Sequence, residues 1–177
     1  MYAKRGLEDL QPNGISANSF EELADIAVAD LKRQGRSGIV CGPITTGGTG
    51  VQKYNFQIFN ATIKGLETNG VAMFSQMPYE FGIRRLTVEW HKHNSGYCEP
   101  ILEVFYAALL ESGLIDSGHF LPGWASSYVA RYEREKLATL KVPILDVDFE
   151  TLTGFVEDEH GATHAKHVLS LLRQNCT

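Results

Sequence analysis

Glu133 stands where a helix would bury it. Across Val129–Leu140 a repeat of about 3.6 residues per turn gathers Val129, Leu137 and Leu140 into one stripe, with Ala130 at its edge. Glu133 falls inside that stripe, while Arg131, Arg134 and Glu135 project from the opposite face. A carboxylate turned toward a core is costly unless it is hydrogen-bonded or lines a cavity. The pattern therefore directs Glu133 into a pocket; an ion pair with an arginine, or a side chain curled to the rim, is the structural alternative. A carboxylate held beside a sugar C1′ can act as a nucleophile. It displaces the base through an oxocarbenium-like transition state, and water or a second base then attacks the glycosyl ester. Another acid must protonate the departing base, and Glu103, Asp116 and Glu80 are the candidates. Tyr54 and Tyr128 are the hydroxyls in place to orient the nucleophile.

The elements that position these groups read as alternating strands and helices. Ser19 caps a helix running from Phe20 to Arg33, and Gly35 stops it. Ser37–Ile44 is a short buried strand that ends in Gly42-Pro43. Thr45–Gly50 is a glycine-rich loop. A second helix opens near Asn55, read as its N-cap, and carries Phe56, Phe59, Ile63 and Leu66 on one stripe as far as Asn69-Gly70. Val71–Phe74 is the next strand. Strand, loop, helix and strand in this order make a βαβ unit with a right-handed crossover, and such units build parallel sheets. His119–Gly123 reads as a third strand and Val142–Val147 as a fourth, with Pro143 placing the latter near a sheet edge. Phe149–Val156 is a possible fifth. Further helices are expected over Ile101–Leu110, from a cap at Ser126 or Ser127 to Lys141, and over Ala162–Arg173. Gln76–Pro100 is polar, irregular and rich in Trp, Tyr and His, which suggests a lid or a partner surface.

The expected architecture is an α/β, Rossmann-like parallel sheet of four to five strands flanked by helices. Residues 1–36 form an N-terminal helical extension, 37–147 the core and 148–177 a C-terminal helical extension. Ligands of open parallel sheets bind beyond the carboxyl ends of the strands. That places Gly42, Pro43, Ile44, Gly47, Gly48, Asn55, Trp124, Ser126 and Ser127 around one ligand, with glycine-loop amides and a capped helix N-terminus suited to an anion. The loop is neither a P-loop nor a GxGxxG fingerprint. His164 and His167 share a helical face, but no motif supplies a third ligand, so no metal site is assigned. Trp90 and Trp124 are as suited to packing as to stacking on a base.

Composition narrows the partners. The chain has 177 residues, 44% hydrophobic and 21% charged, enough for a core without metal or disulfide staples. A net charge of −5 argues against a nucleic-acid polymer or an anionic membrane as partner. No run approaches the roughly 20 apolar residues of a membrane span. Cys41, Cys98 and Cys176 are odd in number and form no CxxC pair, as expected of a reducing, cytoplasmic setting. Met1–Leu10 carries four charged residues and no apolar run, so no secretory leader is read there.

Taken together, Cys41-Gly42-Pro43-Ile44, Gly47-Gly48, Asn55-Phe56, Leu121-Pro122-Gly123-Trp124, Ser127, Glu133 and Val142-Pro143 resemble the nucleoside 2-deoxyribosyltransferase-like superfamily, and within it the DUF4406 branch. The resemblance runs from Gly38 to Leu145. It implies a flavodoxin-like sheet, a small-molecule nucleoside or nucleotide as ligand, no cofactor, and assembly as a homodimer or higher homo-oligomer. It implies Glu133 as the nucleophile, Ser127 as the contact to a 5′-phosphate and Glu103 as the acidic residue on the helix before the Pro-Gly-Trp strand. Where the family carries glycine in its Ser-x-Gly-Ala pattern, this chain has Val129.

Overall fold

The computed structural model describes residues 14–176. The Met1–Leu10 segment read for a leader lies outside them. Among the described residues no helix is long and apolar enough to cross a membrane. The chain forms two compact units, one from residues up to 35 with 75–114, the other from 36–74 with 115 onward.

The second unit holds a four-stranded, all-parallel sheet of β1 (Ser37–Cys41), β2 (Met73–Phe74), β3 (Ile115–Phe120) and β4 (Ile144–Asp146), ordered β2-β1-β3-β4. Every residue of β1 is buried, as a central strand covered on both faces requires. Four helices complete the unit: α2 (Gln52–Thr68), α5 (Tyr128–Thr139), α6 (Phe149–His160) and α7 (Ala162–Asn175), numbered in chain order with α1, α3 and α4 of the other unit. The parallel sheet among helices is the α/β, Rossmann-like arrangement expected from the sequence.

Two glycines set how closely the layers approach. A Cβ on Gly118 would lie 2.5 Å from Leu137 Cδ1, so α5 rests directly on β3. A Cβ on Gly65 would collide with the Phe155 ring, so α6 rests equally closely on α2. β4 is the edge strand, and Pro143 just before it accepts the Gly118 N–H through its carbonyl at 2.9 Å. Having no N–H of its own, proline suits this edge position.

Several element boundaries differ from the sequence reading. β3 is Ile115–Phe120, ending where the sequence suggested it began. Its polar start is tolerated because Ser117 Oγ lies 3.2 Å from His119 Nε2. Phe149–Val156 is part of α6 rather than a fifth strand. Asp148 caps this helix, accepting the Thr151 N–H at 2.7 Å, and that cap starts a helix in spite of β-branched residues.

In the first unit, α1 (Phe20–Gln34) packs against α3 (Glu80–Trp90), α4 (Ala107–Glu111) and a π-helical stretch, Ile101–Tyr106. Ser19 accepts the Glu22 N–H at 3.2 Å, and Gly35, with φ of 92°, closes the helix. Half of the segment expected to be irregular is thus α3. Gly82 within it is a close-approach glycine, since a Cβ there would lie 2.7 Å from the Ile15 carbonyl oxygen.

Glu80, in the first turn of α3, is 4% exposed, and burial pushes its carboxyl up to about 7, with Arg84 opposing. The folded protein therefore holds a proton that the unfolded chain releases near 4.5. Stability should fall as pH rises from about 4.5 to about 7 and level off above that. Glu80→Gln should abolish this slope and exceed the parent by on the order of 3 kcal/mol at alkaline pH, with little difference in acid. Urea melts across that range check this; parallel profiles would contradict it.

Candidate functional site

The carboxyl ends of β1, β3 and β4 lie side by side in the sheet unit and bring three loops together. After Cys41 the chain passes through Gly42-Pro43-Ile44, all buried, into the glycine loop, where Thr45 and Thr46 are exposed. Asn55, expected as an N-cap, sits in the first turn of α2 and is 3% exposed. Its Oδ1 accepts the Thr49 N–H at 2.9 Å. Its Nδ2 donates to the carbonyls of Gly47 at 3.1 Å and Ile44 at 3.4 Å. Val51, which has no capping side chain, takes the N-cap position. Asn55 is thus a brace for the loop, with donor and acceptor both used.

Gly47 and Gly48 have φ of 73° and 58°, a region that disfavours side chains. A Cβ on Gly47 would fall 2.3 Å from Ser126 Oγ, and one on Gly48 would fall 2.7 Å from Asn55 Oδ1. The Gly48 N–H donates to Ser126 Oγ at 3.1 Å, and Ser126 donates in turn to the Gly123 carbonyl at 2.7 Å. The Gly50 N–H donates to the Gly47 carbonyl and the Val51 N–H to Thr49 Oγ1. The amides of residues 48–51 are thus engaged within the loop and its anchors. An arriving anion would meet Thr45, Thr46 and Gly47 at the rim.

Ser127 is the N-cap of α5, and its Oγ accepts the Ala130 N–H at 3.2 Å. Glu133 follows on the same helix and is 1% exposed. Its burial agrees with the helical wheel, but the carboxylate does not open to solvent in this conformation. Beside it lies Cys41, itself fully buried. Burial and the neighbouring Glu133 carboxylate push the Cys41 thiol well above its usual range, against an opposing pull from Arg134. Arg134 forms a paired contact with Asp146, Nη1 to Oδ1 at 2.6 Å and Nη2 to Oδ2 at 3.1 Å. That hydrogen bonding holds the Asp146 carboxyl below the usual range. The Arg134 guanidinium also stacks 4.4 Å from the Trp124 ring centre and 4.8 Å from that of Phe120. One face of Trp124 is therefore occupied by the protein's own cation.

The remaining residues singled out in the sequence make other contacts. Tyr54 makes edge contacts with His164 and His167 of α7, at 5.8 and 5.6 Å between ring centres. His164 Nε2 lies 2.8 Å from Gln57 Oε1. No group of three or more His, Cys, Asp or Glu among the described residues could hold a metal ion. Glu103 belongs to the other compact unit and is exposed on its π-helical stretch. Asp116 accepts a hydrogen bond from Ser117 Oγ at 3.1 Å. Two surface depressions, one along α2 and α6 and one at the α6–α7 junction, are lined by neither Glu133 nor the glycine loop.

Comparison with models of protein families, with curated proteins and with solved structures finds no match in any of the three. The contact of Cys41 with Glu133 and the Arg134–Asp146 pair went unread in the sequence. Cys41 and Asp146 are the last residues of β1 and β4, strands that the sequence pattern carried on to Ile44 and Val147.

Replacing Asn55 by Ala should strand a buried amide, a buried carbonyl and a part-buried one and cost about 2–3 kcal/mol in a urea melt. Asn55→Asp should not rescue the loss, because a carboxylate oxygen would then face the carbonyls of Gly47 and Ile44. Unchanged stability in both variants would remove Asn55 as the brace.

Proposed function

We propose that this protein cleaves or exchanges the N-glycosidic bond of a nucleoside or nucleoside 5′-monophosphate, with Glu133 as the nucleophile. One observation carries the reading: a glutamate 1% exposed, on the helix that Ser127 caps, at the carboxyl ends of parallel strands. The resemblance of the strand-end motifs to the nucleoside 2-deoxyribosyltransferase-like superfamily supports it.

In this mechanism the Glu133 carboxylate attacks C1′ as the C1′–N bond breaks. The base leaves with its electron pair and takes a proton from a general acid. Water or a second base then attacks C1′ and releases Glu133, giving retention overall. A 5′-phosphate would approach the N-terminus of α5, where the helix dipole and Ser127 favour negative charge. Because the carboxylate is sealed, the loops over it must part for a sugar to reach it. Tyr54 remains the proposed orienting hydroxyl.

A homodimer or larger homo-oligomer in the cytoplasm belongs to the same proposal. A second reading, a nucleotide-binding module without turnover, is favoured by the sealed carboxylate.

Base release and base exchange should be followed on a panel of deoxynucleosides and their monophosphates. Glu133→Gln should lower the rate by about 10³-fold or more, the scale expected for a lost nucleophile. Equal rates in parent and variant would remove Glu133 from the chemistry. Tight binding without product over long incubation would favour the binding module.

A further inference from the structure

We infer that the end of α7 is a strap across the site: Asn175 and Cys176 clasp the glycine loop to the turn at Gly123, and they must lift before the two loops can part. The strap governs access to the strand ends and goes beyond any chemistry performed there.

Two loops leave neighbouring strand ends. Cys41, the last residue of β1, pairs with Phe120, the last residue of β3. The chain runs on from Cys41 into the glycine loop and from Phe120 into the turn that carries Gly123 and Ser126. The Gly48 N–H donates to Ser126 Oγ at 3.1 Å, so one hydrogen bond joins the two loops directly. Parting them breaks it.

The end of α7 lies over this joint. A Cβ on Gly123 would fall 2.9 Å from Cys176 Sγ, 3.5 Å from Leu172 Cδ1 and 4.0 Å from Gly48 Cα. Thiol, leucine and both loops thus meet at one point. Asn175 extends the contact, its Nδ2 lying 3.7 Å from where a Cβ on Gly50 would stand. The body of α7 is anchored by Ala165, Val168, Leu169 and Leu172, all buried, and Arg173 stacks 4.9 Å from the Phe149 ring centre of α6. Gln174, Asn175 and Cys176 beyond them are exposed. Burial nonetheless pushes the Cys176 thiol up from its usual range, as suits a sulfur turned inward onto the loops.

Such an end can lift alone. The last carbonyls of a helix have no partner within it, and helix ends open at far lower free energy than a packed core. The anchor at Leu172 stays in place while the residues after Arg173 come away. The loops are then held to each other by the Gly48–Ser126 bond, which is free to break.

The test locks and removes the strap. The 2.9 Å from a Cβ at position 123 to Cys176 Sγ is close to the roughly 3 Å between Cβ and the far sulfur of a disulfide. Gly123→Cys should therefore pair with Cys176 on oxidation. Failure to pair overturns the contact on which the inference is built. Because φ of 80° strains any side chain there, the oxidised form is compared with the reduced form of the same variant. Amide exchange of Gly48, followed by NMR, reports the parting of the loops. It should be about tenfold slower in the oxidised form, and about tenfold faster in a chain ended after Gln174. The Gly118 N–H, bonded to the Pro143 carbonyl at 2.9 Å, is the reference and should not change. Unchanged Gly48 exchange in either protein overturns the inference, and so does equal acceleration at Gly118, which would be general loosening. Base release should stop in the oxidised form and return on reduction; release that persists in the oxidised form also overturns the strap. If no form releases base from any nucleoside, the glycosyl chemistry fails and the exchange rates alone decide the strap.

Discussion

The contact between α5 and the sheet at Gly118 is the constraint on which the rest of the site depends. With a side chain at that position the helix could not lie so close, because the space is taken by Leu137. The close approach buries Ala130, Glu133 and Leu137 whether apolar or not, whereas Leu140, expected on the inner stripe, is 39% exposed and Val129 is half-buried. Leu137 and Ala130 gain by it, while Glu133 is carried in with them. An isolated buried carboxylate would be expensive. Here it meets a protonated thiol on β1, and the charge of Arg134 lies near by.

Arg134 links this buried pair to the surface. Its guanidinium bridges Asp146 at the end of β4, the ring of Phe120 at the end of β3 and that of Trp124 just beyond it. A planar, always charged group is suited to holding a carboxylate with two hydrogen bonds while stacking on aromatic faces. The ends of β3 and β4 are thereby tied to the helix that carries Glu133. Exposed ion pairs of this kind add little stability on their own; this one acts by fixing the geometry of several groups at once.

The glycine loop follows a different logic from a phosphate cradle. Its left-handed residues turn the chain so that Gly47 and Gly48 press against Ser126 and Asn55. Its amides are then satisfied by the protein itself. Such a loop is a rigid wall for a site, with donors at its exposed rim, rather than a nest of free amides. The buried Asn55 makes this possible, because a side-chain amide presents acceptor and donors together and can serve a turn that secondary structure cannot.

The sequence by itself determined the four strands of a parallel sheet, the helices α1, α2, α5 and α7, the cap at Ser19, a cap at Ser126 or Ser127, and the burial of Glu133. Each of these rests on periodicity or on a hydrogen bond within four residues, and such interactions are written in adjacent letters. The tertiary structure decided the rest. Gly82 and the β-branched residues after it disguised α3 as irregular chain, because the glycine is there for the approach of Ile15 and Leu23. The polar letters at the start of β3 hid a strand whose Ser117 and His119 satisfy each other across one face. Cys41 meets Glu133, Asn55 holds Gly47, and Arg134 holds Asp146 only because sheet register and helix position bring distant segments together. A side chain's partner across the fold depends on packing summed over the whole chain, and no local pattern encodes it.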